Sequence, residues 1–546
     1  MTQVLFPTNG DAEARQAEQY DVVIVGAGIT GLYQLHAIRQ LGLSVRLLEA
    51  GGDVGGTWYW NRYPGCRLDS ESYTYQYLFD EELLSETVWS EIFAGQPELE
   101  RYIQKFSNRF DLRRDIQFNT RVTSMAFDEA NNAWALNSET GEVISARFVI
   151  CATGILSAPN YPTFPGAEEF KGEFYHTGLW PEGPVQFAGK RVAVIGTGAS
   201  GVQLIPVVAE AADSLTVFQR TANWAVPLRN APLDEAGFSA IRADYPKIFE
   251  RVRSTSNGFV HDWDSTPFAS VSEEDRLAKY EELWNSPGFA KWFGTYRDIA
   301  IDLEANRTFS DFVASKIRAR LDDPAVADAL IPTDHPYGTK RVPCETQYYE
   351  AYNRPNVELI QLSKNPILSY TATGLLTEQG PMDFDMIILA TGFDAFTGAL
   401  SRIDIRGVGG VTLRNRWKEG PQTYMGIQVP GLPNLLINGG PHGKGGIGNS
   451  PRCAEPVIHW LANLVAFMRE NGFTRVEADS GFAEEWTKQV GELASKTLSA
   501  TVKNYSFGDN IPGKPHVYVA YAGPLPEFVE LLDTTASQGY PGYQFN

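Results

Sequence analysis

From Tyr20 to Val25 the chain is dominated by apolar residues and runs directly into Gly26-Ala-Gly28-Ile-Thr-Gly31. A short apolar run closed by glycine predicts a strand buried on both faces, and the apolar period that follows, to about Leu41, predicts a helix. Ser44 to Leu48 predicts a second strand, which completes a βαβ unit. The pattern recurs further on. Lys190 to Ile195 predicts a strand, Gly196-Thr-Gly198-Ala-Ser-Gly201 a turn, the stretch to about Ala211 a helix and Leu215 to Gln219 another strand. Two more apolar runs end in the same three residues, Ala152-Thr153-Gly154 and Ala390-Thr391-Gly392, and mark points where the chain crosses between domains.

Between about Val226 and Asp334 the pattern becomes charged, aromatic and helical. Ser272 is placed to cap a helix bearing Leu277, Tyr280 and Trp284, while Val313, Ile317 and Leu321 fall on one face of another. Gly439 to Ser450 holds too many glycines for regular structure and precedes an apolar helix near Pro456 to Met468. It reads as a loop that approaches a ligand closely.

The 546 residues exceed a single core and predict two or three domains. A net charge of −20 argues against nucleic acid and anionic membrane as partners, since both call for a basic surface. Met1 to Tyr20 is polar, and nowhere is there an apolar run of the roughly 20 residues needed to span a bilayer, so a soluble cytoplasmic protein is expected. Cys66, Cys151, Cys344 and Cys453 form no CxxC pair, which leaves no support for a metal site or a dithiol centre.

A lone GxGxxG also occurs in ordinary tight turns. With a strand before it, a helix after it and Glu49 closing the second strand, the first loop predicts a dinucleotide site: Gly26, Gly28 and Gly31 let the backbone approach a pyrophosphate, and Glu49 accepts from ribose hydroxyls. The second loop, with Gly196, Gly198 and Gly201, ends its unit in Arg220-Thr221 where the first has an acid. A cation there suits a 2′-phosphate and favours NADP over NAD, with Lys340 as a further phosphate ligand; a solvated strand-end arginine is the plainer alternative.

Phe170, Gly172, His176, Thr177 and Trp180 follow the pattern FxGxxxHxxxW, and Gly55-Gly-Thr57-Trp58-Tyr-Trp60-Asn-Arg62-Tyr63-Pro64-Gly65-Cys-Arg67-Leu-Asp69 follows a second one. In both, the chain resembles the Baeyer–Villiger monooxygenases, close to the phenylacetone, cyclohexanone and steroid branch, from about Tyr20 to Tyr518. The resemblance implies an α/β fold with two Rossmann-like dinucleotide-binding domains, for FAD and NADP, and a helical insertion. It assigns residues 1–150 and 385–546 to the FAD domain, 151–225 and 335–384 to the NADP domain and 226–334 to the insertion. It further implies that NADPH reduces the flavin, that O2 gives a C4a-peroxyflavin, and that a ketone becomes an ester or lactone, with sulfoxidation as a side activity. An N- or S-oxygenating flavin monooxygenase and a pyridine nucleotide–flavin reductase are the alternatives. The partners expected are a small ketone and O2, in a monomer or weak oligomer.

By the same resemblance Arg341 is the catalytic arginine and Asp69 its partner carboxylate, although an arginine taken alone is more often a surface or salt-bridge residue. Thr30, Thr57, Trp58, Asp69, Tyr75 and Val122 are implied at FAD, and Arg67, Thr197, Ser200, Arg220, Thr221, Lys340 and Arg341 at NADP. His176 is given a coupling role in a linker between the domains. Tyr505 stands where many relatives carry a tryptophan, and is implied at NADP or substrate. The loop Gly440 to Asn449, with His442 and Lys444, differs from that of the phenylacetone type and points to bulky or cyclic ketones.

Overall fold

Val22 to Val25 pair in parallel with Val45 to Leu48 on one side and with Phe148 to Cys151 on the other, so the first apolar run is interior to a sheet, as its composition requires. The computed structural model describes residues 18–546; the earlier part of the polar opening segment lies outside the described residues. From one edge the sheet runs Asp404–Arg406, Val122–Asp128, Ala133–Ser138, Val143–Cys151, Glu18–Val25, Val45–Leu48 and Ile116–Gln117, and Leu435–Ile437 also pairs with Val143–Cys151. A second sheet is parallel throughout, in the order Val357–Gln361, Ser214–Gln219, Arg191–Ile195, Met386–Leu389 and Glu173–His176.

The two glycine turns and the two Ala-Thr-Gly words are explained together. Gly26 and Gly196 sit at φ +107° and +114°, where a side chain is strained, and a Cβ on them would lie 2.6 Å from the Ala152 carbonyl oxygen and 2.4 Å from that of Ala390. Each turn is thus packed against the end of a neighbouring strand. The helices Ile29–Arg39 and Ala199–Ala211 then start close over the strands because Gly31 and Gly201 carry no side chain: a Cβ would meet the Gly26 oxygen at 1.8 Å and the Gly196 oxygen at 2.4 Å.

Three expectations change. Met386–Leu389 hydrogen-bonds into the second sheet, so the chain returns to the first sheet after it, at Ala390-Thr391-Gly392, and not at residue 385. The segment holding His176, expected as a linker between the domains, is built into the second sheet, where Glu173–His176 is the edge strand. In the insertion, Ser272 does cap the helix Glu273–Asn285, accepting from the Asp275 N–H, and Tyr280 and Trp284 are buried, but Leu277 is exposed. Val313 and Ile317 are buried on the helix Leu303–Arg318, whereas Leu321 packs beyond its end.

Just after that edge strand, the Trp180 N–H donates to the Trp60 carbonyl at 3.2 Å, and Glu182 accepts from Tyr59 and pairs with Arg62. The two sequence fingerprints therefore touch each other. No helix among the described residues is long and apolar enough to cross a membrane. The four cysteines are buried free thiols, and no group of three potential metal ligands occurs among the described residues.

Candidate active site

Both glycine turns open onto one cleft of about 1570 Å³. The helices that begin there have Gly28 and Gly198 at their N-caps, and neither receives a side-chain cap. Their first-turn N–H groups are left facing the cleft, where the positive end of a helix stabilises an anion. A Cβ on Gly198 would meet nothing within 4 Å, so bare backbone fronts open space.

At the first turn, Gly26, Gly28, Thr30, Glu49, Thr57, Trp58, Tyr75 and Val122 all line the cleft. Glu49 also does something that the pattern of residues did not predict. Its carboxylate oxygens accept from the N–H groups of Ala27, at 2.6 Å, and Gly51, at 2.7 Å, and so brace the glycine turn itself. Burial pushes its carboxyl above the ordinary range, while those N–H donors pull the other way. The free lone pairs of the two oxygens suit a ribose hydroxyl.

At the second turn, Gly196, Thr197, Gly198, Ser200, Arg220 and Thr221 line the same cleft. Arg220 is exposed and makes no ion pair with any described residue. Lys340 also lines the cleft, 3.6 Å from Asp334, and its ammonium is held below the usual lysine range by burial and by the field of Arg220. Two cations that repel each other at one end of a cleft fit an anionic group placed between them. Arg67 reaches the cleft too, but its Nη1 is paired with Glu91 at 2.9 Å. Gly31 and Gly201 do not line the cleft, because their role is to let helix and strand approach. The residues present fit FAD at the first turn and NADP at the second.

Asp69 and Arg341, far apart in sequence, meet on the cleft wall. Arg341 Nη1 lies 2.9 Å from Asp69 Oδ2. Asp69 is buried; its second oxygen accepts from Gln203 Nε2 at 3.3 Å, and the Cys344 N–H lies 3.3 Å from Oδ2. Burial pushes the Asp69 carboxyl above the usual range, against the pull of Arg341, Cys344 and Gln203. For Arg341 burial works against the charge, but Asp69 together with Tyr505 and Cys344 outweighs it and the guanidinium is held cationic. With 38% of its side chain accessible, Arg341 presents that charge to the cleft. Phe289 lies 5.7 Å from it by ring centroid, and Asn223 Nδ2 donates to its carbonyl.

Tyr505 lines the cleft, with its ring parallel to that of Phe396 at 6.3 Å. The loop that carries it is tied down by Asn510, which donates to the Phe393 carbonyl, and by Lys514, which pairs with Asp394. Phe259, Phe289, Trp292 and Gln203 also line the cleft and were not read from the sequence. Aromatic residues in a helical insertion look like ordinary core, and no motif marks them. In the glycine-rich loop, Gly445 to Asn449 line the cleft, but His442 and Lys444 are buried and point away from it.

His176 Nδ1 accepts from the Gly178 N–H at 2.9 Å, and Nε2 lies 3.4 Å from the Thr391 hydroxyl. Burial lowers its pKa to about 4. The imidazole is therefore neutral above that value and protonates only below it. A His176→Asn enzyme is expected to keep the shape of the wild-type pH–rate profile from about pH 6 upwards; loss of a limb there would restore His176 as an acid–base group.

The family model described as flavin-binding monooxygenase-like matches residues 19–231. The chain is 44% identical to the 2-oxo-Delta(3)-4,5,5-trimethylcyclopentenylacetyl-CoA monooxygenase of Pseudomonas putida, over 96% of this chain and 98% of that protein. It is 39% identical to a Baeyer–Villiger monooxygenase of Pseudooceanicola batsensis, over 95% of each. The crystal structure of OTEMO in complex with FAD and NADP superimposes with a TM-score of 0.93 at 44% identity, over 96% of this chain and 99% of that one. A likeness of this degree along nearly the whole of each chain, together with a cleft that takes both nucleotides, makes the protein a member of the Baeyer–Villiger monooxygenase family.

Proposed function

We propose that Arg341, held by Asp69, is the group that makes this FAD- and NADPH-dependent enzyme insert one oxygen atom of O2 beside a ketone carbonyl, giving an ester or lactone. The observation that carries this reading is the 2.9 Å ion pair on the wall of the cleft that both nucleotide cradles share. When bound, FAD reduced by NADPH supplies the electrons that activate O2. The protein has to bring the ketone to the flavin and stabilise the negative charge that develops as oxygen reaches the carbonyl carbon.

A guanidinium suits that task because it keeps its proton at any working pH and presents a planar fork of donors. Asp69 takes one arm of the fork and is itself fixed by Gln203 and the Cys344 N–H, so the remaining donors have a set direction. Phe259, Phe289 and Trp292 form an apolar wall that suits the hydrocarbon part of a ketone and keeps water from the reacting atoms. Oxygenation of an amine or sulfide would have no use for an oriented cation there.

Product analysis tests the reading. A cyclic ketone incubated with enzyme, NADPH and isotopically labelled dioxygen is expected to give a lactone carrying one labelled oxygen atom. Consumption of NADPH with no ester from any of a broad set of ketones would overturn the reading.

A further inference from the structure

Lys444 is 2% exposed and has no carboxylate partner among the described residues. Its Nζ donates to Asn257 Oδ1 at 3.0 Å and to the Gly523 carbonyl at 2.5 Å, with the Tyr521 ring centroid 5.9 Å away. Three chain segments meet at this ammonium: the glycine-rich loop, the turn that follows the helix Tyr245–Ser254 of the insertion, and the stretch leading into the C-terminal helix Leu525–Ser537. Two of them reach the cleft. The glycine-rich loop contributes Ile447, and the turn contributes Phe259, two residues beyond Asn257.

The fit around the loop leaves no slack. A Cβ on Gly446 would lie 2.0 Å from the Phe396 ring, and one on Gly448 would lie 2.4 Å from Cys453 Sγ and 2.7 Å from the Asn257 oxygen. The Asn449 N–H donates to that same Asn257 oxygen at 2.8 Å, and the Leu525 N–H donates to Ser256 at 2.8 Å. From the turn the contacts continue to the catalytic pair, since Phe259 packs on Phe289 at 4.9 Å and Phe289 lies 5.7 Å from Arg341.

We infer that Lys444 is a positioning residue for substrate size: it ties the loop carrying Ile447 to the turn carrying Phe259, and so sets the room left for the ketone. This rests on the ketone-oxygenating reading above. A charge buried without a counter-ion is costly, and two neutral donors would join the segments at less expense. What the ammonium adds is charge-assisted hydrogen bonds, stronger than those of a neutral donor, to Asn257 and Gly523 at once. The titratable groups that face it are Cys453, Asp262 and Glu527, and burial brings its own pKa down to about 8. As pH rises through that value the group gives up its charge, and its hydrogen bonds to Asn257 and Gly523 lose their charge assistance.

Holoenzymes of the wild type, Lys444→Met and Asn257→Ala are compared on cyclohexanone and cyclododecanone, with kcat and KM measured for each. Loosening the wall is expected to raise the ratio of kcat/KM for the large ring over the small by about tenfold, through KM, while bleaching of the flavin by NADPH stays within about twofold. In the wild type the ratio is expected to rise between about pH 7 and about pH 9, and in Lys444→Met to stay flat. Asn257→Ala removes only one of the two hydrogen bonds, and the wild-type pH series requires no variant, so a Lys444→Met protein that fails to fold leaves both tests standing. An unchanged ratio, or an equal loss on both ketones that follows a fall in Tm, overturns the role of Lys444 while ester formation stands. Absence of ester from the wild type on every ketone sinks the activity and this inference together.

Discussion

Arg341→Ala is expected to lower ester formation by about a thousandfold or more, with NADPH still bleaching the flavin at close to the wild-type rate. The size follows from position. Arg341 shares the cleft wall with a buried, fixed carboxylate, whereas Lys340, the neighbouring cation, lies 3.6 Å from Asp334. Removing the guanidinium leaves the charge developing during oxygen transfer without its donor, and leaves Asp69 buried and unpaired. Arg341→Lys is expected to recover only part of the rate: an ammonium is a point charge without the planar fork that Asp69 orients. Rapid-reaction measurement of flavin reduction, run beside product quantification, separates the two half-reactions. Ester formation retained in Arg341→Ala would remove Arg341 from the chemistry.

The second large effect is expected at the other end of the cleft, where Arg220→Ala should raise KM for NADPH by about 10- to 150-fold and leave the far weaker use of NADH nearly unchanged. A hydrogen bond to a charged group contributes about 1.5–3 kcal/mol, and each 1.4 kcal/mol is about tenfold. Arg220 has no acid to neutralise it among the described residues, so its charge is free for the 2′-phosphate. Lys340 is half-committed to Asp334 at 3.6 Å, and its replacement by Ala should have the smaller effect of the two. Because Arg220 is exposed, salt screens it, and the penalty should shrink at high ionic strength. Equal losses for NADPH and NADH would show that Arg220 supports the fold of the loop and does not read the phosphate.

Much of this was legible along the chain because the signals are local. A strand, a glycine turn and a helix are neighbours in sequence, and the φ values of Gly26 and Gly196 are demands of the backbone that only glycine meets easily. Arg341 and Asp69 are legible only through motif resemblance, since nothing local distinguishes either from an ordinary surface charge. The double duty of Glu49, bracing the turn through Ala27 and Gly51, was hidden because the same residue suits a ribose. Along the chain the Ala-Thr-Gly words mark crossing points, yet their packing role lies in the Ala152 and Ala390 oxygens, which fold against the glycine turns.

The glycine-rich loop shows the limit most plainly. Its composition announces close approach to a ligand, and Gly445 to Asn449 do face the cleft. Which of its polar side chains face it depends on what packs behind: His442 turns to the Tyr518 carbonyl and Lys444 to Asn257 and Gly523, all far along the chain. By itself the sequence determined the two nucleotide units, through backbone rules, and, through the resemblance of its motifs, FAD, NADP and the family of the enzyme. Tertiary structure alone decided that Arg341 and Asp69 stand 2.9 Å apart, that Phe259 and Phe289 wall the cleft beside them, and that Gly31 and Gly201 serve packing and not the cleft. The reason is physical: a side chain's direction and charge state are set by neighbours that folding brings from distant parts of the chain, and residue order records those neighbours only indirectly.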